Sequence, residues 1–334
     1  MTYPVEWQQV CDSFFVHLSH PSRVSIKASA PAKVILFGEH AVVYGEMAIA
    51  ATLDLRMNLE ATPSDRYTVD GYAMNPRNHT YIQAAVDRLW DGDPLAFRTR
   101  SLIPSAMGLG SSSALTVASV GMLLSMKGQA DPRSIALESF RVESGVQEGA
   151  SPLDTSACTH GYGIRVLPQP EHDLLWDVSS GEKNWSIHHQ DIPDIPLVIG
   201  TTRQKGKTEH QVEKVRNFHS KSGFARDIIS EIGEVAALGA RALADNDVKA
   251  MGELMDRNQR LLAILGVNTP ELQRLIEVAR KHSYGAKITG AGGGGSMIAL
   301  TDDPESVVEA IKKEGGRPTV ARFSTEGVQV NGSI

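Results

Sequence analysis

Apolar residues recur along this chain with two periods, and their alternation sets out its elements. Trp7, Val10, Cys11, Phe14, Phe15 and Leu18 lie on one helical stripe, which predicts an amphipathic helix over residues 5–19, ended by Pro21. Period-two patterns predict strands over 24–30, 33–37 and 48–60, with a short edge segment at 67–69. Ile82, Ala85, Val86 and Leu89 carry helical spacing through 78–90, and residues 94–102 return to a strand. Residues 114–126 are apolar nearly all round, so this helix belongs inside a domain rather than on its surface. Helices over 132–145 and 151–158 follow, then strands at 162–167 and 174–178.

Residues 191–196 carry two prolines and separate this half from the next. The second half opens with an apolar strand at 196–201. Helical stretches over 207–245, 247–264 and 270–283 come next. Strands at 286–289 and 297–300 flank a glycine loop, and a helix at 306–314 precedes strand material over 319–330. A chain of 334 residues is long enough for two cores, so two domains are expected, 1–190 and 191–334.

Composition narrows the partners. Hydrophobic residues make 41% and charged ones 22%, an ordinary globular balance. The formal net charge of −6 argues against a general nucleic-acid binder. The two cysteines, Cys11 and Cys158, cannot form a disulfide framework or a cysteine-rich zinc site, which fits a reducing cytoplasm. No apolar run approaches the ~20 residues of a membrane span. Glu6 and Asp12 stand where a secretory signal would be basic, so a soluble cytoplasmic protein is expected.

Four stretches could carry chemistry. In residues 103–126, Gly108 and Gly110 permit a tight turn, and Ser111, Ser112 and Ser113 follow where the apolar helix begins. A helix start offers unpaired N–H groups and partial positive charge, a cradle for an anion such as a triphosphate. In residues 31–45, Lys33 opens an apolar run, and Glu39 and His40 stand side by side at a turn. That pair could bind a hydroxylated or carboxylated ligand, or the two could satisfy each other. Glu143 lies on a helix and Asp154 near a helix start; phosphoryl transfer could use both, one for Mg²⁺ and one at the attacking hydroxyl. The loop Gly290–Gly295 joins two strands, where absent side chains let a backbone or a ligand come close.

Two nucleotide signatures fail on context. Gly200 to Thr208 resembles a Walker A loop but has five residues, Thr201 to Lys205, where that motif has four. Gly290 to Gly295 matches G-x-G-x-x-G in form, yet it runs into the apolar strand pattern of 296–300 instead of opening a helix.

Taken in order, PAKVILFGEHAVVYG, PSAMGLGSSSA and KITGAGGGGSMIAL resemble the three motifs of the GHMP kinase superfamily, and they span the chain from near residue 24 to near 330. Galactokinases resemble G-E-H-T-D-Y at the first motif, whereas residues 38–45, GEHAVVYG, are similar to the mevalonate kinase branch. The resemblance implies a two-domain α+β fold: an N-terminal ATP-binding α/β domain over 1–190, a ferredoxin-like α+β domain over 191–334, and the site in the cleft between them. It implies ATP-dependent phosphorylation of the 5-hydroxyl of mevalonate; another kinase of the superfamily (for phosphomevalonate or a sugar) and a catalytically silent relative are the alternatives. Lys33 would stabilise charge at the reacting groups, and Glu39, His40 and Thr208 would lie by the acceptor. Pro104, Ala106, Met107, Gly108, Leu109, Gly110, Ser111, Ser112, Ser113 and Ala114 would hold the nucleotide. Ser112 and Glu143 would hold Mg²⁺, and Asp154 would take the hydroxyl proton. Gly290, Ala291, Gly292, Gly293, Gly294 and Gly295 would close over the phosphate and substrate end. A homodimer is what the family suggests. The superfamily often has glycine at Ala32 and Ala106, alanine at Ser113, and cysteine or alanine near Ser296; at Ala106, alanine's poor tolerance of positive φ implies a slightly different loop path.

Overall fold

The computed structural model describes residues 25–104, 107–147, 149–202, 204, 206 and 208–332. The helix expected over 5–19 and the loop position Ala106 lie outside these residues.

The two strands expected over 24–30 and 33–37 are one strand, β1 (Ile26–Phe37). Pro31 cannot donate to a ladder, and the register against β2 (Ala48–Pro63) shifts between Pro31 and Ala32, so the strand passes the proline without ending. β2 is central: it pairs with β1, with β5 (Leu95–Ser101) and with β6 (Gly163–Leu167), all antiparallel. β3 (Thr68–Val69) and β4 (Tyr72–Ala73) extend one end of the sheet. β7 (Leu174–Ser180) and β8 (Lys183–Gln190) extend the other, in the order β6–β8–β7. Nothing in the hydrophobic pattern announced β8. Its apolar residues are only Trp185 and Ile187, and Ser186, His188 and Gln190 are buried by the neighbouring strands and not by any apolar character of their own.

Against this sheet pack α1 (Thr80–Leu89), α2 (Ser111–Met126), α3 (Pro132–Val146) and α4 (Leu153–His160). As its all-round apolar sequence requires, α2 is buried from Ser113 to Leu124 save Leu115, lying on β1 and β2 beneath α1 and α3.

The second sheet is antiparallel, with β9 (Leu197–Thr201), β10 (Gly285–Thr289), β11 (Ser296–Leu300) and β12 (Arg317–Ala321) in the order β10–β11–β9–β12. With helices between β9 and β10 and between β11 and β12, this is the βαββαβ arrangement. The helical stretch expected over 207–245 is two helices, α5 (Thr208–Lys221) and α6 (Gly223–Ala244). Ser222 is extended, and its hydroxyl accepts from the Ala225 N–H at 3.3 Å, so it caps the second helix and breaks the first. α7 (Val248–Ile264), α8 (Pro270–Arg280) and α9 (Pro304–Lys313) complete the layer. The last strand, β13 (Gln329–Asn331), returns to pair with β1. A division of the chain at residue 190 therefore remains a proposal, and it must assign β13 to the first unit. Among the described residues no helix is long and apolar enough to cross a membrane.

α7 and β10 meet backbone to backbone at Gly252 and Gly285, and a Cβ on Gly252 would land on the Tyr284 carbonyl. Gly252→Ala gains about 1 kcal/mol of helix propensity but overpacks this contact. A net destabilisation of about 1–3 kcal/mol is expected in urea unfolding, and an unchanged or raised midpoint would show that the two elements are free to part.

Candidate active site

Lys33 sits on β1 opposite Thr52, only 2% exposed, and its N–H donates to the Leu109 carbonyl at 3.1 Å. That bond ties the strand to the loop before α2. The loop comes close because of its glycines. Gly110 has φ +73°, and a Cβ there would stand 2.8 Å from Lys33 Cγ; Gly108 has φ +78°, and a Cβ would stand 2.9 Å from the Thr289 carbonyl. The lysine stem thus runs over Gly110 and brings Nζ within 2.9 Å of Asp154 Oδ2. Asp154 lies in the first turn of α4, where the helix dipole favours a carboxylate.

Glu143 reaches the same cleft from α3, 6% exposed, and accepts a 2.6 Å hydrogen bond from the Ser113 hydroxyl. Burial, and after it the Asp154 charge, push its carboxyl up to about 7, while the Ser113 bond and Lys33 pull the other way. The buried Glu143 carboxylate and the Ser112 hydroxyl line the same cavity, a pair of hard oxygen donors suited to Mg²⁺ shared with phosphates, while Asp154 keeps Lys33 as its partner.

The glycine loop closes the far side. Gly290, Ala291, Gly292, Gly294 and Gly295 line the cavity, which holds about 480 Å³, together with residues 107–112, Lys33, Glu143 and Asp154. Gly293 turns away, its N–H donating to the Val267 carbonyl at 2.7 Å. His40, at φ +64°, bonds through Nε2 to the Ala291 carbonyl at 3.0 Å. A carbonyl only accepts, so Nε2 carries the hydrogen, and Nδ1 of the neutral ring is left as an acceptor.

Glu39 and His40 do not satisfy each other. Glu39 pairs with Lys287 of β10, both fully buried, and accepts from Asn258 Nδ2 of α7 at 2.8 Å. Lys287 and Asn258 escaped the sequence reading. Lys287 opens the third motif, but a lysine inside a strand pattern gives no sign of a partner some 250 positions away.

Other expected positions divide. Met107, Gly108, Leu109, Gly110, Ser111, Ser112 and Thr208 line the cleft; Pro104 is not among its lining residues. Ser113 is buried behind the serine turn, and the Ala114 N–H is already bonded to the Gly110 carbonyl at 2.8 Å, so neither faces a nucleotide. Gly200, first glycine of the Walker-like run, is a buried residue of β9 packed on Met297, inside the strand the apolar pattern predicted over 196–201.

Two family models match the chain, the GHMP kinases N terminal domain over residues 80–162 and the GHMP kinases C terminal region over 240–317. Over 320 residues the chain is 37% identical to the mevalonate kinase of Methanothermobacter thermautotrophicus, covering 90% of this chain and 98% of that one. It is 32% identical over 343 residues to the mevalonate kinase of Thermococcus onnurineus, with 91% and 98% covered. The crystal structure of the Methanococcus jannaschii mevalonate kinase superposes with a TM-score of 0.71 at 26% identity, covering 91% and 99% of the two chains.

The buried His40 ring generates a pH dependence. Burial takes its pKa down from 6.5 to about 4, against the opposing pull of the Ala291 carbonyl. Above pH 6.5 neither the folded nor the unfolded chain holds this proton; as pH falls toward 4 only the unfolded chain gains it, and stability is lost. His40→Asn tolerates the positive φ and removes this titration. Urea unfolding is expected to show the variant gaining about 2–3 kcal/mol on the wild type between pH 7 and pH 4. A difference independent of pH would refute a neutral buried His40.

Proposed function

This chain belongs to the GHMP kinase family, and from that footing we propose that it transfers the γ-phosphoryl group of ATP to the 5-hydroxyl of (R)-mevalonate, giving 5-phosphomevalonate and ADP. The observation that carries this reading is the Lys33–Asp154 pair, 2.9 Å apart at the mouth of the Gly/Ser turn and facing the glycine loop. The acceptor identity follows the GEHAVVYG motif and the likeness to archaeal mevalonate kinases over nearly the whole chain.

The residues divide the work as phosphoryl transfer demands. The free N–H groups at the start of α2 and the backbone of 107–112 hold the phosphates. Asp154 orients the acceptor hydroxyl and takes its proton late, because a loose transition state asks for little proton removal beforehand. Lys33 lies against both the carboxylate and the transferring group, and its fixed charge stabilises the negative charge that builds there. Ser112 and Glu143 would hold Mg²⁺, which would supply charge neutralisation at the phosphate oxygens. His40 Nδ1 offers an acceptor to a hydroxyl of the substrate, and Thr208, which lines the same cavity, lies by the acceptor in this reading. The loop 290–295 excludes water from the reacting end. A cytoplasmic homodimer completes the reading, on the family's example and the composition.

Asp154→Asn is expected to lower turnover by about 10²–10⁴-fold while ATP binding stays within a few-fold, measured by coupled ADP release and calorimetry. Near-wild-type turnover would remove Asp154 from the chemistry. ADP release compared across mevalonate, phosphomevalonate, galactose and homoserine should favour mevalonate; preference for another acceptor keeps the kinase and overturns the substrate.

A further inference from the structure

The polar side chains of α2 do not all behave alike. A hydroxyl buried in a helix ordinarily bonds back to the carbonyl one turn earlier. Thr116 does so to Ser112 at 3.0 Å, and Ser119 to Leu115 at 2.8 Å. Ser113 does not. The carbonyl one turn before it belongs to Leu109, which already accepts the Lys33 N–H. The Ser113 hydroxyl leaves its own helix and donates to Glu143 Oε1 on α3 at 2.6 Å.

The direction of that bond matters. Ser113 is 1% exposed and does not line the cleft, whereas its neighbour Ser112 and its partner Glu143 both do. The hydroxyl therefore holds the carboxylate from outside the cavity that Ser112 and Glu143 line. One carboxylate oxygen is thereby occupied, and the Glu143 side chain lines the cleft that Ser112 also lines.

We infer that Ser113 is a positioning residue, which holds Glu143 so that one carboxylate oxygen is presented, together with the Ser112 hydroxyl, to a divalent cation carried by the nucleotide. This rests on the kinase reading of the cleft. Lost outer partners of metal ligands cost about 10–100-fold in metal affinity or activity. Ser113 itself never meets the nucleotide, so its effect is confined to binding that involves the cation.

The test is calorimetric titration of a non-hydrolysable imido analogue of ATP, with Mg²⁺ and with chelator, on wild type, Ser113→Ala, Glu143→Gln and the double variant. Alanine suits a helix interior, so Ser113→Ala folds. In the wild type Mg²⁺ tightens binding of the analogue. In Ser113→Ala that tightening is expected to fall about tenfold or more, with the chelator value unchanged within about twofold and the Mg²⁺ concentration for half-maximal ADP release raised. On the Glu143→Gln background the serine change adds nothing further, because its route is gone. Three results overturn the inference: an undiminished Mg²⁺ effect in Ser113→Ala, an equal loss with and without metal, or an equal effect in both backgrounds. If the wild type binds no analogue, or binds it without regard to Mg²⁺, the kinase reading fails and this inference falls with it.

Discussion

A lysine stripped of water is costly unless its charge is answered, and the cleft is built around the answer given to Lys33. At 2% exposure its ammonium lies 2.9 Å from Asp154, whose own side chain remains one-third open to the cleft. One end of the pair is thus fixed in the protein and the other faces the reactants. The lysine backbone is tied to Leu109 as well, so the same residue registers the phosphate turn against the strand. Displacing β1 would shift cation, carboxylate partner and phosphate turn together.

Close backbone approach from the second sheet completes that arrangement. Gly108 meets the end of β10 at Thr289, and the loop beyond β10 supplies the Ala291 carbonyl that His40 holds. Beneath them the buried Glu39–Lys287 pair, with Asn258 as a third partner, joins the turn after β1 to β10 and α7. A buried ion pair adds little net stability over well-packed apolar residues, but losing one partner leaves an uncompensated charge. Its consequence here is alignment: the two glycine loops that bound the cleft are held in one register.

Local rules account for most of what could be read in advance. The all-round apolar run of α2 could only be a buried helix, and the glycines before it left a turn with free N–H groups. Glu143 and Asp154 stood on helices whose spacing was legible, and the G-x-G-x-x-G run was recognisable as a strand-to-strand loop by what followed it. Patterns failed where a residue's neighbours lie far away in sequence. β8 is buried by β6 and β7 with few apolar residues of its own, and the serine that splits α5 from α6 shows itself only by capping.

The chain by itself determined the elements, the turn chemistry and the residue types able to move a phosphoryl group, since these depend on periods of two and 3.6 and on the φ angles glycine permits. Tertiary structure alone decided partnership. It gave Glu39 to Lys287 and not to His40, turned Ser113 from the nucleotide to Glu143, drew Gly293 out of the cleft, and returned β13 to the first sheet. The reason is physical: a buried polar group takes whichever complementary group the packed backbones bring within reach, and that distance is set by two sheets and not by position along the chain.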